Sequence, residues 1–421
     1  MNAYKPPALA GIATALALAT TTAAYGAPAT AASPSHPASH VSRFATSGDA
    51  FGSRVQVGSL VGSGESALTM VGCGATHITR RNATAHINLS SLGQVRAVRT
   101  QSGIRHTRSG LLETVSHART AGVSLLNGAI KAKALSSTAV ARPRRHAALS
   151  GRSQFLGLRI GGKLISAHPK PNTSLKIPGL VKLTVNAQRR TRVNGVRRIT
   201  VDALKLTLLH GSKLGPLGTT VLIGQSSAAR HNLRNSVLHG ASSGSEITVG
   251  GLVTSSPTFR TLLPCGGTDG QVAHHRGVGI HLSKILKTGV IRTLAKGSDG
   301  LAPSSSTRAT IGKVNLLGGL IKARVLRAQA NVTKVGGHLT RTNRGSHFIG
   351  LKINGKPMND NISRNTKLSL LGIGTLWLDR VIKSPHGLQV HMIELVLGHK
   401  FNGMRRGTVI DIANARARVS R

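Results

Sequence analysis

The sequence predicts an all-β protein made of two tandem antiparallel β-sandwich-like repeats. Three observations carry that prediction: a duplication, a two-residue hydrophobic period, and paired turn residues between alternating segments. The duplication is the most extensive. Residues 54–73, RVQVGSLVGSGESALTMVGC, align without a gap on residues 246–265, EITVGGLVTSSPTFRTLLPC. The order then continues: SLLNGAIKAKAL (124–135) with NLLGGLIKARVL (315–326), FLGLRIGGK (155–163) with FIGLKINGK (348–356), and ITVDALKLTLL (199–209) with LQVHMIELVLG (388–398). Two long copies are a tandem duplication rather than a solenoid of short units, and each is large enough to bury its own core.

The second observation is the period. In GLIKARVLRAQANVT, Ile321, Ala323 and Val325 alternate with Lys322 and Arg324; after Leu326 the apolar parity shifts to Ala328, Ala330 and Val332. That pattern predicts a half-buried strand with one extra residue, as at a β-bulge. The third is the turn chemistry. Asn194-Gly195, between RRTR and RRITV, predicts a two-residue type I′ hairpin. One stretch, residues 104–120, leaves helix and strand both open.

In chain order, Lys5 precedes an Ala/Leu/Thr run and then small residues, the pattern of an exported leader, expected over 1–31. A Pro/Ser/His-rich linker is expected over 32–48, the first repeat over 49–230, an Asn/Ser/Gly/His-rich linker over 231–245, and the second repeat over 246–421. No later segment approaches the ~20 apolar residues that span a bilayer as a helix, so no transmembrane span is expected.

Two segments imitate a phosphate-binding loop. GLRIGGKL (157–164) and GLKINGKP (350–357) both have the Gly, four residues, Gly-Lys spacing. The residue after the lysine is Leu164 or Pro357, neither able to ligate magnesium. Leu158 and Ile160, like Leu351 and Ile353, alternate with basic residues as strand residues do. Gly161-Gly162 and Asn354-Gly355 therefore predict hairpin turns, and no cofactor is expected.

The run FLGLRIGGKLISAHPKPNTSLKIPGLVKLTVNAQ (155–188), with the LLGGLI stretch at 316–321, the PNT turn at 171–173 and IPGLVKLTVN at 177–186, resembles the choice-of-anchor P family of actinobacterial surface proteins. The resemblance extends in weaker form through the second repeat. It implies export and residence at the cell envelope, and it implies no catalytic or binding residues. The chain departs from that pattern in its two copies and its excess of Arg and Lys.

Lys and Arg number 56 against 11 Asp and Glu, a formal net charge of +45. Such a charge favours anionic partners, here the polymers of a cell envelope, or simply keeps the chain soluble. Nucleic acid recognised by sequence is not expected, because no known module and few aromatic platforms are present. The polyanion contacts expected are Arg189, Arg190, Arg192, Arg197 and Arg198, flanking the Asn194-Gly195 turn.

Catalysis needs acids, bases or metal ligands gathered together. Across the duplication Asp202 aligns with His391, Asp379 with Asn186, Glu65 with Pro257 and Asp411 with Ile223, so the repeats share no carboxylate constellation. GASSG (240–244) has the spacing of a nucleophile elbow but lies in the expected linker, where it reads as spacer. HHRGVGIH (274–281) lacks zinc-site spacing and reads as loop histidines. No catalytic, cofactor or metal residue is assigned. The expected function is a non-enzymatic, exported or envelope-associated structural or adhesive protein. The alternatives are a hydrolase-like exported enzyme and a non-specific polyanion-binding module.

Three residues give sharper expectations. Cys73 and Cys265 occupy equivalent places, one per repeat, so they are either a bridge between repeats or two buried thiols. Trp377 falls between Leu376 and Leu378, which match the core positions Leu183 and Val185. Its indole is therefore expected on the opposite face, partly exposed or covered by the other repeat.

Overall fold

The computed structural model describes residues 44–420 except 58–59, 64, 75–76, 108–111, 143–147, 194, 212–213, 250–251, 256, 278, 283–284 and 403. The expected leader (1–31), most of the expected first linker and Asn194 lie outside the described residues. The described chain is almost wholly β. Its helical turns are the 3₁₀ segments Ser90–Leu92 and Leu317–Gly319. No helix among the described residues is long and apolar enough to cross a membrane.

The main strands of the first repeat are β1 (Phe44–Val57), β2 (Ile78–Asn88), β3 (Gly93–His106), β4 (Leu112–Leu125), β5 (Ile130–Arg142), β6 (Thr173–Ile177), β7 (Val181–Val193), β8 (Val196–Leu208) and β9 (Thr220–Asn232). Those of the second are β10 (Val237–Val249), β11 (Ile291–Ser298), β12 (Ser304–Leu316), β13 (Ile321–Val335), β14 (Thr366–Leu370), β15 (Gly374–Ser384), β16 (Gly387–Leu397) and β17 (Thr408–Ser420). One sheet of the first repeat runs β6-β7-β8-β9-β1, and one of the second runs β14-β15-β16-β17-β10; the orders correspond strand for strand. The facing sheets, β2-β3-β4-β5 and β11-β12-β13, are antiparallel meanders. Each pair of sheets encloses a separate core, built in the first repeat from Val, Leu and Ile such as Leu183, Leu206 and Ile223, and in the second from Leu376, Leu395 and Ile412.

The expected boundaries are corrected first. The repeats start earlier than expected: β1 begins at Phe44 and its counterpart β10 at Val237, pairing with β9 and β17. The stretch expected as a spacer, 231–245, thus contains most of a strand, and GASSG is ladder rather than elbow or linker. Its small residues suit close packing: a Cβ on Gly240 would meet the Leu263 side chain at 2.8 Å, and one on Gly244 would meet Ile291 at 3.0 Å. Of residues 104–120, where helix and strand were both open, 104–106 and 112–120 fall in the β3 and β4 ladder.

The parity shift in β13 is real, but no residue is inserted. Gly312 faces Val325 and Val314 faces Ala323, so register is constant across it, and the irregular position opposite is Lys313 at φ 53°. The same device crosses the other sheets. Asn186 and Gly224 in the first repeat, and Asp379 and Ala413 in the second, have φ of 51°, 62°, 42° and 55°. Each flips which neighbours face inward without changing strand pairing, so Met392 and Ile393, consecutive in sequence, are both core.

The phosphate-loop imitations are hairpins. Ile160 pairs with Lys163 across Gly161 and Gly162 (φ 55° and 79°), and Ile353 with Lys356 across Asn354 and Gly355 (φ 50° and 75°). Positive φ at both turn residues is what a type I′ turn requires. Trp377 stands half-buried on the outer face of β15, with Lys367 at 5.4 Å and Arg380 at 5.0 Å from its ring centre.

Candidate functional site

The two repeats meet at a seam. Cys73 and Cys265 are joined there by a disulfide with Cα atoms 5.5 Å apart, packed among Ala45, Leu233 and Val237. His231 closes this cluster. The Cys265 backbone N–H donates to its Nδ1 (3.2 Å), so the proton of the neutral ring sits on Nε2 and is donated to Ser47 Oγ (2.8 Å). Burial, and then the field of Arg198, holds this imidazole down to about pKa 3. His239 beside Gly72 is lowered to about 4 by burial and by Arg418 and Arg416. The chain crosses between repeats with Arg234 and Asn235 donating backbone N–H groups to Asp299 at 2.7 and 3.0 Å, and Ser236 donating a third.

A cleft of about 280 Å³ opens along the seam, lined by Asp49, Arg54, Glu65, Arg198, Arg260 and His275. Its charges are largely matched inside it. Glu65 lies between Arg54 (3.6 Å) and Arg260 (3.4 Å), one from each repeat, and Arg260 also donates to Met70 Sδ. His275, one of the histidines of HHRGVGIH, stands edge-on to Phe259 at 5.7 Å; His274 is exposed, and the side chain of His281 lies outside the described residues.

The expected polyanion contacts divide in two. Arg189, Arg190 and Arg192 are exposed on β7, with Arg190 reaching the Leu149 carbonyl at 3.2 Å. Arg197 and Arg198 are half-buried instead. Arg198 is turned onto Asp49 (3.2 Å) and Ser227 (3.0 Å), so it belongs to the internal ion-pair system rather than to an open surface. The reason is register: Thr191 faces Arg198, which places Arg198 on the face of β8 opposite Arg192 and Arg197.

The second repeat holds a constellation that the sequence reading passed over. On the outer face of one sheet, Glu246 of β10, Asp411 of β17, Glu394 of β16, Trp377 of β15 and Lys367 of β14 stand directly opposite one another, strand by strand. His391 joins them, its Nδ1 2.8 Å from Asp411 Oδ1 and 4.0 Å from Glu394 Oε2. His391, Glu394 and Asp411 are all buried, and one ligand atom from each lies within 4.8 Å of the others. Arg380, which lies over Trp377, pairs with Glu394. Glu246 titrates above the usual carboxylate range, chiefly from burial and then from Asp411.

Residues i and i+3 of a regular strand point to opposite faces, so His391 and Glu394 read in sequence as unrelated. The parity flip at Met392 and Ile393 brings them to one face. The carboxylates themselves come from β10, β16 and β17, whose pairing registers no local pattern displays. The register also corrects one alignment: Asp411 corresponds to Leu222 rather than Ile223, since Leu222 faces Lys205 and Arg54 as Asp411 faces Glu394 and Glu246. No family model, no curated protein and no solved structure matches this chain.

Proposed function

We propose that the chain is a non-enzymatic, exported protein held at an anionic cell envelope by many weak charge contacts. One observation carries this reading. Of the 11 acidic side chains, only Asp269 and Asp360 are exposed, whereas Arg and Lys alternate with core residues along the outer faces of most strands. Glu113 shows how the acids are consumed: it is buried between Arg105 (2.9 Å) and Arg142 (2.7 Å). The net charge of +45 is therefore expressed outward with little opposing sign.

Such a surface attracts dense polyanions without needing a pocket. The resemblance to the choice-of-anchor P family, and the leader pattern at 1–31, are the supports for an envelope location. The exposed end of β7, with Arg189, Arg190 and Arg192, is one adhesive patch among several.

Each exposed contact is weak and screened beyond ~8 Å at physiological salt. Retention is thus collective and reversible. Intact cells of the native host, washed in rising sodium chloride, release the protein progressively below molar salt. Protein already in the medium at low salt, or still bound at molar salt, overturns the proposal. Replacing Arg189, Arg190 and Arg192 together by Gln lowers the salt needed for release.

A further inference from the structure

We propose that His391, Glu394 and Asp411 bind one divalent transition cation, with Glu246 opposite Asp411 on the neighbouring strand, and zinc is the probe. This site goes beyond the adhesive role and does not depend on it.

The starting point is an arrangement that charge alone opposes. Like charges directly opposite on neighbouring strands repel. Here three carboxylates stand abreast on β10, β17 and β16 in a chain with 56 basic and only 11 acidic residues. One guanidinium, Arg380, is paired with Glu394. Arg260, the arginine acting on Glu246, is engaged by Glu65 at 3.4 Å. A doubly charged ion, together with Arg380, balances the three carboxylates.

The second observation is independent of charge. His391 Nδ1, Asp411 Oδ1 and Asn414 Oδ1 are buried polar atoms without a hydrogen-bond partner, and the His391 side chain is only 7% exposed. His391 and Asn414 face each other across β16 and β17, on the same face as the carboxylates. The 2.8 Å approach of His391 Nδ1 to Asp411 Oδ1 does not have hydrogen-bond geometry. Buried orphan atoms are costly, and a cation lying between His391 Nδ1 and Asp411 Oδ1 satisfies both.

The donor set selects the ion. Carboxylates alone suit calcium, magnesium or manganese; adding an imidazole favours zinc, copper or nickel. The site is closed, because His391 and Glu394 side chains are each only 7% exposed. Its role is therefore to fasten β10, β16 and β17 together, and ion binding appears as added stability.

The test uses the purified full chain, stripped with EDTA and titrated with zinc chloride by calorimetry, with bound metal counted by plasma spectrometry. One zinc per chain and a higher melting temperature with zinc are expected. Asp411→Asn and His391→Gln each lower affinity at least tenfold and abolish the melting shift, whereas His274→Ala, at an exposed histidine, changes neither. Circular dichroism of the metal-free variants checks their fold, and Glu394→Gln serves if Asp411→Asn does not fold. Crystals of the wild-type chain grown with zinc give an anomalous peak among His391, Glu394 and Asp411. Zinc uptake unchanged in both variants, or no peak at that place, overturns the proposal.

Discussion

In the first repeat the row Arg54–Leu222–Lys205–Thr184 crosses the sheet at the register positions where the second repeat carries Glu246–Asp411–Glu394–Trp377. The backbone beneath the two rows is the same, down to the left-handed residues Asn186 and Gly224 matching Asp379 and Ala413. The first row is basic and Lys205 is exposed; the second is acidic, and Glu394 and Asp411 are buried. A duplicated fold therefore supplies a slot, not a chemistry. The absence of shared carboxylates between repeats excludes a common site and says nothing against a site in one copy.

The seam is the first place to break the comparison, because it determines whether the repeats behave as one body. Cys73→Ser with Cys265→Ser removes a link across 192 residues and is expected to cost about 4 kcal/mol, read from urea unfolding with and without the bridge. A second transition appearing in the variant would show that the repeats unfold separately. The cores come next. Leu183 and Leu376 are equivalent and fully buried, so Leu183→Ala and Leu376→Ala should each cost about 3 kcal/mol. Unequal losses would show that one repeat is packed more loosely than the other.

The rows themselves can be exchanged. Glu394→Lys gives the second repeat the first repeat's residue, placing an ammonium beside Arg380 in a buried position, and thermal melts should show a loss of about 3 kcal/mol. The reverse change, Lys205→Glu, lies on an exposed side chain and should stay within about 0.5 kcal/mol.

Acid separates the repeats in another way. The first repeat carries His231, where the pairing registers place Ser420 in the second. The folded ring stays neutral to about pH 3, while the unfolded ring takes a proton near 6.5. Below pH 6.5 the unfolded chain therefore binds more protons, and stability falls with falling pH by about 1.4 kcal/mol per unit for each such histidine. The decline ends as pH passes the folded value. His231→Asn should flatten the slope of stability against pH by one proton, leaving the part that His239, lowered to about 4, contributes.

Much of the fold was legible because strand periodicity and turn chemistry are local. Ile321, Ala323 and Ala328 announce their faces in sequence, and Gly161-Gly162 and Asn354-Gly355 can hardly be anything but tight turns. The equivalence of Cys73 and Cys265 was visible too, since a duplication preserves position. What misled was composition: Ser, Gly and His between 231 and 245 read as spacer. There, small residues serve the close packing of β10 against Leu263, Thr258 and Ile291.

The sequence by itself determined the class of fold, the duplication, the excess of positive charge and the core-facing set of most strands, properties of composition and of neighbours along the chain. Tertiary structure alone decided that Arg198 serves Asp49 rather than the surface, and that two cysteines in different repeats stand 5.5 Å apart. It also decided that Glu246, Asp411 and Glu394 share a row with His391. The physical reason is register. Which residue lies opposite which, across strands more than a hundred residues apart, depends on the pairing of whole sheets and on a parity flip at left-handed positions such as Asp379 and Ala413, and neither leaves a local pattern to read.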